Sequence, residues 1–414
     1  MAIASNISVT VLERRYTDKL SYYDDWLDAV RCHPGFDVKI CNIATIEGKS
    51  LARSLIVCCD VVLAMHSTTS DGVSDLEDIL PILLDRKCLF AVFVGNEVNL
   101  PAAPMAGKLR FLRDSRVDLV ISQLLQEAAD WYYSPLEFCQ AISLPHALNP
   151  KSYTPGPKHA SRFVDIGARS HRYPPHLGDR DRVNLFEFFT QNSGSLGLKI
   201  DVELGGERFD RNGWAGFLKG ARATLASEAG SSFLDRDDSL VAKVQSELLK
   251  EVSGKIVLKQ NSIFREIVRK IAPEKFKKIT REILGSVIIE DYNISSDVDS
   301  EKERIIVDRI FRNKNKPPFH TKAISSRHFD AIGCNTAQVM YLGRYNDILY
   351  SGENYIEIER DFSNIDDVKM KLNDHSYLDK MTTLTREYVS ECHTHAHRMT
   401  ALELKIRDIA SGAR

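Results

Sequence analysis

The sequence predicts an α/β fold of two successive doubly wound parallel-sheet lobes that face a cleft, closed by C-terminal helices. Three observations predict it. Short runs rich in Val, Ile and Leu alternate with stretches of helical periodicity, the pattern of parallel strands covered on both faces. A segment rich in Pro, Lys and Ser at 149–161 (NPKSYTPGPKHAS) interrupts that pattern, as a linker does. The alternation then restarts. A chain of 414 residues has room for about two or three domains.

In the first lobe, residues 7–12 (ISVTVL) predict the opening strand. A helix follows over 18–32, with Leu20, Tyr23, Trp26, Leu27 and Val30 at helical spacing. Residues 36–43 (FDVKICNI) alternate as a strand does. A short helix at 50–56 leads to a buried strand at 59–65, then a helix at 76–84. Residues 88–94 (CLFAVFV) predict a continuous apolar strand. Strands at 117–122 and 141–144 complete the lobe.

The second lobe opens with a strand at 162–167 (RFVDIG) and a helix at 182–190. A strand at 198–204, a short helix at 213–219 and a strand at 223–226 follow. The stretch 238–285 is expected to be mostly helical. A helix at 325–333 and a strand at 337–342 (AQVMYL) precede a helical tail over 366–411. Ligands of such sheets bind beyond the carboxyl ends of the strands, which places the site in the cleft between the lobes.

Composition excludes several classes. Lys plus Arg number 55 and Asp plus Glu 57, a net charge of -2, so nothing drives the whole chain toward nucleic acid. Apolar content of 43% rules out global disorder. The eight Cys include no C-x-x-C pair, so neither a zinc ribbon nor a thioredoxin-type motif is present. They are expected to be small buried hydrophobes in a reducing compartment. The start, MAIASNISVTVLERR, lacks a signal-peptide pattern. No stretch is apolar enough to span a bilayer, and a cytoplasmic protein is expected. A phosphate-loop motif, a nucleophile elbow and a G-x-G-x-x-G after the first strand are all missing. ATPase, hydrolase and NAD-dehydrogenase readings lose support accordingly.

Four segments carry candidate chemistry. DIGARSHRYPPHLGDRDR (165–182) leaves a strand with Arg169, His171, Arg172, His176, Arg180 and Arg182, cations suited to an anionic ligand before a helix N-terminus. The alternative is a solvated charged loop. LASEAGSSFLDRDD (225–238) places Glu228, Gly230 and Ser231 at a strand exit. Small residues there let a ligand approach the backbone, and Glu228 and Asp235 could meet sugar hydroxyls or move protons. Alternatively they cap the helix that starts near 236. In ISSRHFDAIG (324–333), Arg327 lies in a first helical turn, opposed to the dipole unless an anion shares that end. Asp330 follows it three residues on. HTHAHR (393–398) holds three His, of which only His393 and His397 share a helical face. No metal site is assigned to them, and a helix-start or packing role is expected.

Taken in order, further segments extend the pattern. GNE at 95–97, Ser122-Gln123 and PHALN at 145–149 lie in the first lobe; SRHFDAIGCNTAQVMYLGRYNDIL, YIEIERDFSNIDDV and HTHAHR close the second. The chained order resembles a GT-B-fold glycosyltransferase of the group 1/family 4-like (CgeB-like) type found in bacterial surface-polysaccharide biosynthesis. The resemblance implies two Rossmann-like lobes. Residues 1–155 would be the acceptor lobe and 156–385 the nucleotide-sugar donor lobe, with 386–414 a helix that may cross back to the first.

The resemblance implies transfer from a nucleotide-diphosphate sugar to a saccharide or lipid-linked saccharide acceptor, with no metal and no other cofactor. Arg169, Arg172, Gly230, Ser231, Arg327 and Asp330 would bind the donor, Arg169 and Arg172 facing the diphosphate and Asp330 the ribose. Glu228 and His66 would be catalytic. Glu97, His146 and Asn149 would bind the acceptor. Two positions depart from the family pattern. Position 330 is Asp where Glu is commoner, and position 322 is Lys where many relatives carry a second Glu. Retaining or inverting stereochemistry stays open on that account. A catalytically inactive scaffold that binds a glycan or partner enzyme, and a two-lobed sugar epimerase, are the alternatives.

The segment 255–282 carries nine Lys or Arg against three Glu, a local +6, with Ile263, Phe264, Ile267, Val268 and Ile271 on one helical face. Such a helix suits peripheral contact with an anionic membrane, here on the inner face of the cytoplasmic membrane. Packing against its own domain is the alternative.

Overall fold

The computed structural model describes residues 6–15, 21–205, 208–251, 256–258, 288–290 and 300–412. The first sheet holds β1 (Ile7–Glu13), β2 (Phe36–Asn42), β3 (Val61–Ala64), β4 (Leu89–Phe93), β5 (Leu119–Ser122) and β6 (Gln140–Ser143). They lie in the order β2-β1-β3-β4-β5-β6, every neighbour parallel. The second sheet holds β7 (Val164–Ser170), β8 (Ile200–Leu204) and β9 (Ala221–Ala226), then a short strand β10 (Ala229–Gly230) leaves it. Beyond β11 (Ile256–Leu258), β12 (Ile288–Glu290) and β13 (Lys322–Ala323), it is completed by β14 (Ala337–Met340) and β15 (Ile356–Glu357). Its order is β15-β14-β9-β7-β8, again all parallel. The chain is thus an α/β protein of two Rossmann-like lobes.

Burial explains why the strands were legible. Val61 to Ala64 and Phe90 to Phe93 are buried at every position, so helices cover both faces and the sequence runs apolar without alternation. Two clusters sandwich the first sheet. One of them takes in Met399, Leu402 and Ile406 from the last helix, His395–Ser411. That helix packs on the first helix, Ser21–Cys32, so the chain ends against the lobe in which it began.

The structure departs from the sequence expectation where caps break helices. The stretch 76–84 is two helices, Ser74–Glu77 and Leu80–Asp85; Pro81 sits in the first turn of the second, where it lacks only an N–H that would bond nothing. The tail is three helices. Asp374 caps the second by accepting from the Tyr377 N–H, and Thr394 caps the third by accepting from the His397 N–H. His393 closes the helix before Thr394, so His393 and His397 share no helical face. Over 238–285 the helix runs Ser239–Glu251, and 256–258 is a strand paired with 288–290. The rest of the basic segment lies outside the described residues. Three of the eight Cys, at 32, 58 and 392, are exposed rather than buried. No described helix is long and apolar enough to cross a membrane.

The lobes are tied together by the loop after β10. Leu234, from the second lobe, is buried in the core of the first. Asn99 donates to both Asp235 (2.8 Å) and Asp238 (2.6 Å). Asp238 also accepts from the N–H groups of Met105 and Ala106, which open the helix Met105–Asp114. A carboxylate from one lobe thereby caps a helix of the other. Truncation by Leu234→Ala should cost about 2–4 kcal/mol, as for a buried Leu. Urea unfolding should show it as a lower midpoint; a change of the size seen at exposed sites would remove Leu234 from the tie.

Candidate functional site

In the second sheet the strand order reverses between β7 and β9, and the crevice at such a point is where open α/β sheets take ligands. β7 ends there at Ser170, and β9 runs out to Ser227 and Glu228. Arg182 bridges the two exits. Its Nε donates to the Ser227 hydroxyl at 3.2 Å and its terminal nitrogen to the Ser170 hydroxyl at 3.4 Å. Its guanidinium lies 3.8 Å from the centre of the Tyr173 ring. Arg327 arrives at the same hydroxyl from the first turn of the helix Ser326–Gly333. It donates to Ser170 Oγ at 3.0 Å and to the Arg169 carbonyl at 3.1 Å.

Among the described residues neither Arg182 nor Arg327 forms an ion pair with a carboxylate. A third guanidinium, Arg208, donates to His171 Nε2 at 2.8 Å. Burial, and then Arg208, Arg327 and Arg182, hold the His171 imidazole below its usual pKa. Burial and Arg182 bring Arg327 down to about 10. Positive charge is therefore gathered at the switch point with hydroxyls and carbonyls, rather than ion-paired carboxylates, around it. Such a site is built for an anion.

The arginines predicted from sequence to face a diphosphate are placed otherwise. Arg169 pairs with Asp201 (2.6 Å) and Glu203 (3.3 Å) on β8, and its guanidinium covers Phe217. Arg172 pairs with Glu187 and Glu303, each at 3.3 Å. Both cations are matched by carboxylates, whereas among the described residues Arg182 and Arg327 are not. The reason is alternation along β7: Ser170 faces the crevice, and Arg169, its neighbour, turns to the other face.

Glu228 lies at the β9 exit and is only 8% exposed. His320 Nε2 meets its Oε1 at 2.7 Å, and the Tyr345 N–H donates to the same oxygen at 2.9 Å. Burial raises its pKa, but His320, the Tyr345 N–H and Lys322 outweigh burial and hold the carboxyl below its usual range. It is a carboxylate at neutral pH. Gly343 permits this placement, since a Cβ there would lie 2.7 Å from Glu228 Oε2. Lys322, which stands where relatives of the resembled family carry Glu, pairs with Asp179 (2.9 Å) and Asp181 (3.5 Å).

Other predicted donor residues serve the frame. Gly230 adopts a positive φ of 89° and pairs with Lys322 in the β10–β13 ladder, a conformation that suits glycine. The Ser231 hydroxyl donates to the Leu177 carbonyl and accepts from the Phe233 N–H, so it is committed inside the lobe. Asp330 is buried and accepts from Trp214 Nε1 at 2.9 Å. Burial, and then Asp25 of the first lobe, drive its carboxyl well above the usual range. Its carboxyl is therefore turned to Trp214 inside the lobe.

In the first sheet the order reverses between β1 and β3, and His66 follows β3 at that point. It is 1% exposed, stacked on Phe93 with centroids 4.6 Å apart, and neither ring nitrogen has a hydrogen-bond partner among the described residues. Burial and the neighbouring His146 and His395 keep it neutral. Glu13, Tyr23, Leu27, Met65 and Ser67 line a small cavity beside it. His146 accepts from Trp26 Nε1 at 3.2 Å, and burial lowers its pKa to about 3. Asn149 donates to Asp25 at 2.7 Å. Glu97 is committed within the lobe: Oε1 accepts from Ser122 and Tyr133, and Oε2 from the Gln123 N–H. With those bonds made it braces the β4–β5 exits instead of meeting an acceptor.

The sequence reading missed His320 and the bridging role of Arg182. Arg182 is one of the basic residues at 165–182, yet only the distant partners of its neighbours single it out. His320 carries no local signal, since it meets Glu228 across 92 residues. No group of three or more His, Cys, Asp or Glu placed to hold a metal occurs among the described residues.

No protein-family model and no curated protein matches the chain. Several solved structures align with it. The Anabaena HepE protein in complex with UDP and glucose aligns at 10% identity and TM-score 0.46, over 97% of this chain and 100% of that one. Sucrose-phosphate synthase from Thermosynechococcus elongatus aligns at 10% identity and TM-score 0.47, over 98% and 100%. A glycosyltransferase from Rickettsia africae aligns at 8% identity and TM-score 0.45, over 98% of each chain.

Between the lobes, Arg211 reaches Asp25 at 3.3 Å and Asp28 at 3.2 Å. Burial nonetheless raises Asp25 to about 6, with Arg211 and Asn149 opposing it. A carboxyl raised by folding holds its proton more tightly in the native state, so its contribution to stability falls as pH rises from about 4 to about 6. The stability of the wild type minus that of Asp25→Asn should therefore decline across that window and stay level above it. Thermal unfolding of both proteins as a function of pH checks this.

Proposed function

We propose that the chain is a GT-B glycosyltransferase that moves a sugar from a nucleoside-diphosphate sugar to a saccharide or lipid-linked saccharide acceptor. One observation carries this reading: Arg182 and Arg327 meet at Ser170, at the switch point of the second sheet, without carboxylate partners among the described residues. A diphosphate supplies the missing negative charge and enough oxygens for both forks. The helix that bears Arg327 points its N-terminus at the same place, which favours an anion further.

On this reading the arginines do their main work late in the reaction. As the bond from the sugar to the diphosphate breaks, negative charge builds on the leaving oxygens, and fixed guanidinium groups stabilise it without a metal. Glu228, a carboxylate fixed by His320 and the Tyr345 N–H, accepts from the hydroxyls of the donor sugar. His66, neutral and without a hydrogen-bond partner among the described residues, stands at the switch point of the first sheet and takes the proton of the acceptor hydroxyl. The sheet exits bring the two substrates together, and alignment lowers the barrier as much as any charge. The class of acceptor and a place in bacterial surface-polysaccharide or lipopolysaccharide biosynthesis rest on the sequence resemblance. A cytoplasmic location rests on the cysteine usage and the N-terminal pattern, and contact of 255–282 with the membrane on its local charge of +6 and its apolar face.

Calorimetric titration with UDP, GDP, ADP and dTDP tests the reading. One of them should bind the wild type. Arg182→Ala and Arg327→Ala should each weaken that binding by about 10- to 100-fold, the loss of one charge-assisted bond. With the matching nucleotide sugar, Glu228→Gln should cut turnover at least about tenfold while nucleotide binding stays within about twofold. Failure of all four nucleotides to bind, or arginine variants that bind like the wild type, would overturn the assignment.

A further inference from the structure

Beside the arginine cluster stands a cluster of three aromatic rings. Phe209, Trp214 and Phe217 are near-parallel: interplanar angles are 27° for Phe209–Trp214, 26° for Phe209–Phe217 and 15° for Trp214–Phe217. Centroids lie 6.3, 5.4 and 5.6 Å apart in the same order. The ring cluster is built locally. Asp210 caps the helix Arg211–Gly220 by accepting from the Gly213 N–H, which turns Phe209 back over the first helical turn. Gly213 leaves the room, for a Cβ there would lie 3.3 Å from Phe209 Cδ1.

Helix capping accounts for part of this. Phe209 precedes the cap and Trp214 is the fourth residue after it, the spacing of a hydrophobic staple. A staple does not need a third parallel ring, and it does not account for the location. Phe209 is 38% exposed. The preceding residue is Arg208, which belongs to the cluster through His171. Trp214 is bonded to Asp330, one helical turn from Arg327. The platform thus borders the anion site along two separate connections.

Resting on the glycosyltransferase reading above, we propose that the partly exposed ring of Phe209, held in place beside Trp214 and Phe217, is a stacking surface for the planar base of the nucleoside diphosphate. A flat ring beside a pair of cations without carboxylate partners among the described residues is the complement of a nucleotide: base on the platform, phosphates on Arg182 and Arg327. Stacking is indifferent to base identity, since every base has a π-face. The platform therefore supplies affinity for the nucleotide as a class, and selection among bases falls to edge contacts.

The test compares the nucleoside diphosphate that binds best with inorganic pyrophosphate, which has the charge and no base. Phe209→Ala should weaken nucleotide binding about tenfold or more and leave pyrophosphate binding within about twofold. Phe209→Tyr, which keeps the ring, should restore nucleotide binding. Equal weakening of both ligands, or of neither, overturns the platform. So does an alanine variant whose melting temperature falls while its preference for nucleotide over pyrophosphate is unchanged, since a staple alone behaves that way. Pyrophosphate binding without any added affinity from a base would overturn the platform and leave the anion site standing. Absence of both from the wild type would overturn the glycosyltransferase reading and this inference with it.

Discussion

Positive charge gathered without an ion-paired carboxylate among the described residues is the constraint around which the second lobe is arranged. Arg182 and Arg327 approach one hydroxyl, Ser170 Oγ, from two different helices. Like charges so placed repel, and neither enjoys a carboxylate within the described structure. Folding tolerates this because each guanidinium is met by hydroxyls, carbonyls or an aromatic face. The carboxylates that could have neutralised them are committed elsewhere: Asp201 and Glu203 to Arg169, Glu187 and Glu303 to Arg172. The lobe therefore sorts its arginines into two kinds. One kind is paired and structural. The other meets only hydroxyls, carbonyls and an aromatic face among the described residues.

The same sorting extends to the acids. The carboxyl of Glu228 is held below its usual range by His320, the Tyr345 N–H and Lys322, whereas that of Asp330 is driven well above it by burial. Two carboxyl groups of one lobe are driven apart in acidity by their surroundings. The first can accept hydrogen bonds from a substrate. The second braces Trp214.

Much of the fold was legible in the sequence because the strands are buried on both faces. Runs such as VVLAM and CLFAVFV leave little else to be. The helix breaks were less legible. Asp374 and Thr394 are ordinary capping residues, yet each sits inside a long amphipathic stretch that a continuous helix would also satisfy. In the site, the segments at 165–182 and 225–238 were located correctly as strand exits, but the partners that occupy Arg169, Arg172 and Ser231 were not legible. Arg169 and Arg182 look equally suited in the sequence. What separates them is pleat direction and the presence of Asp201 and Glu203 beside one of them. Glu97 misled for the same reason, since its partners Ser122, Gln123 and Tyr133 lie 25 to 36 residues away. Side-chain pairing is a property of tertiary structure, and local patterns do not encode it.

The loop that carries Leu234 begins only a few residues after Glu228. One end of this short span holds a carboxylate at the crevice of the second sheet, and the other is wedged in the core of the first lobe. The span acts as a strut. Any swing that separates the lobes must either pivot about the wedge or pull on the backbone that seats Glu228. Shape change and the alignment of that carboxylate are thereby geared together: a cleft ajar is also a cleft whose acidic tooth is out of mesh.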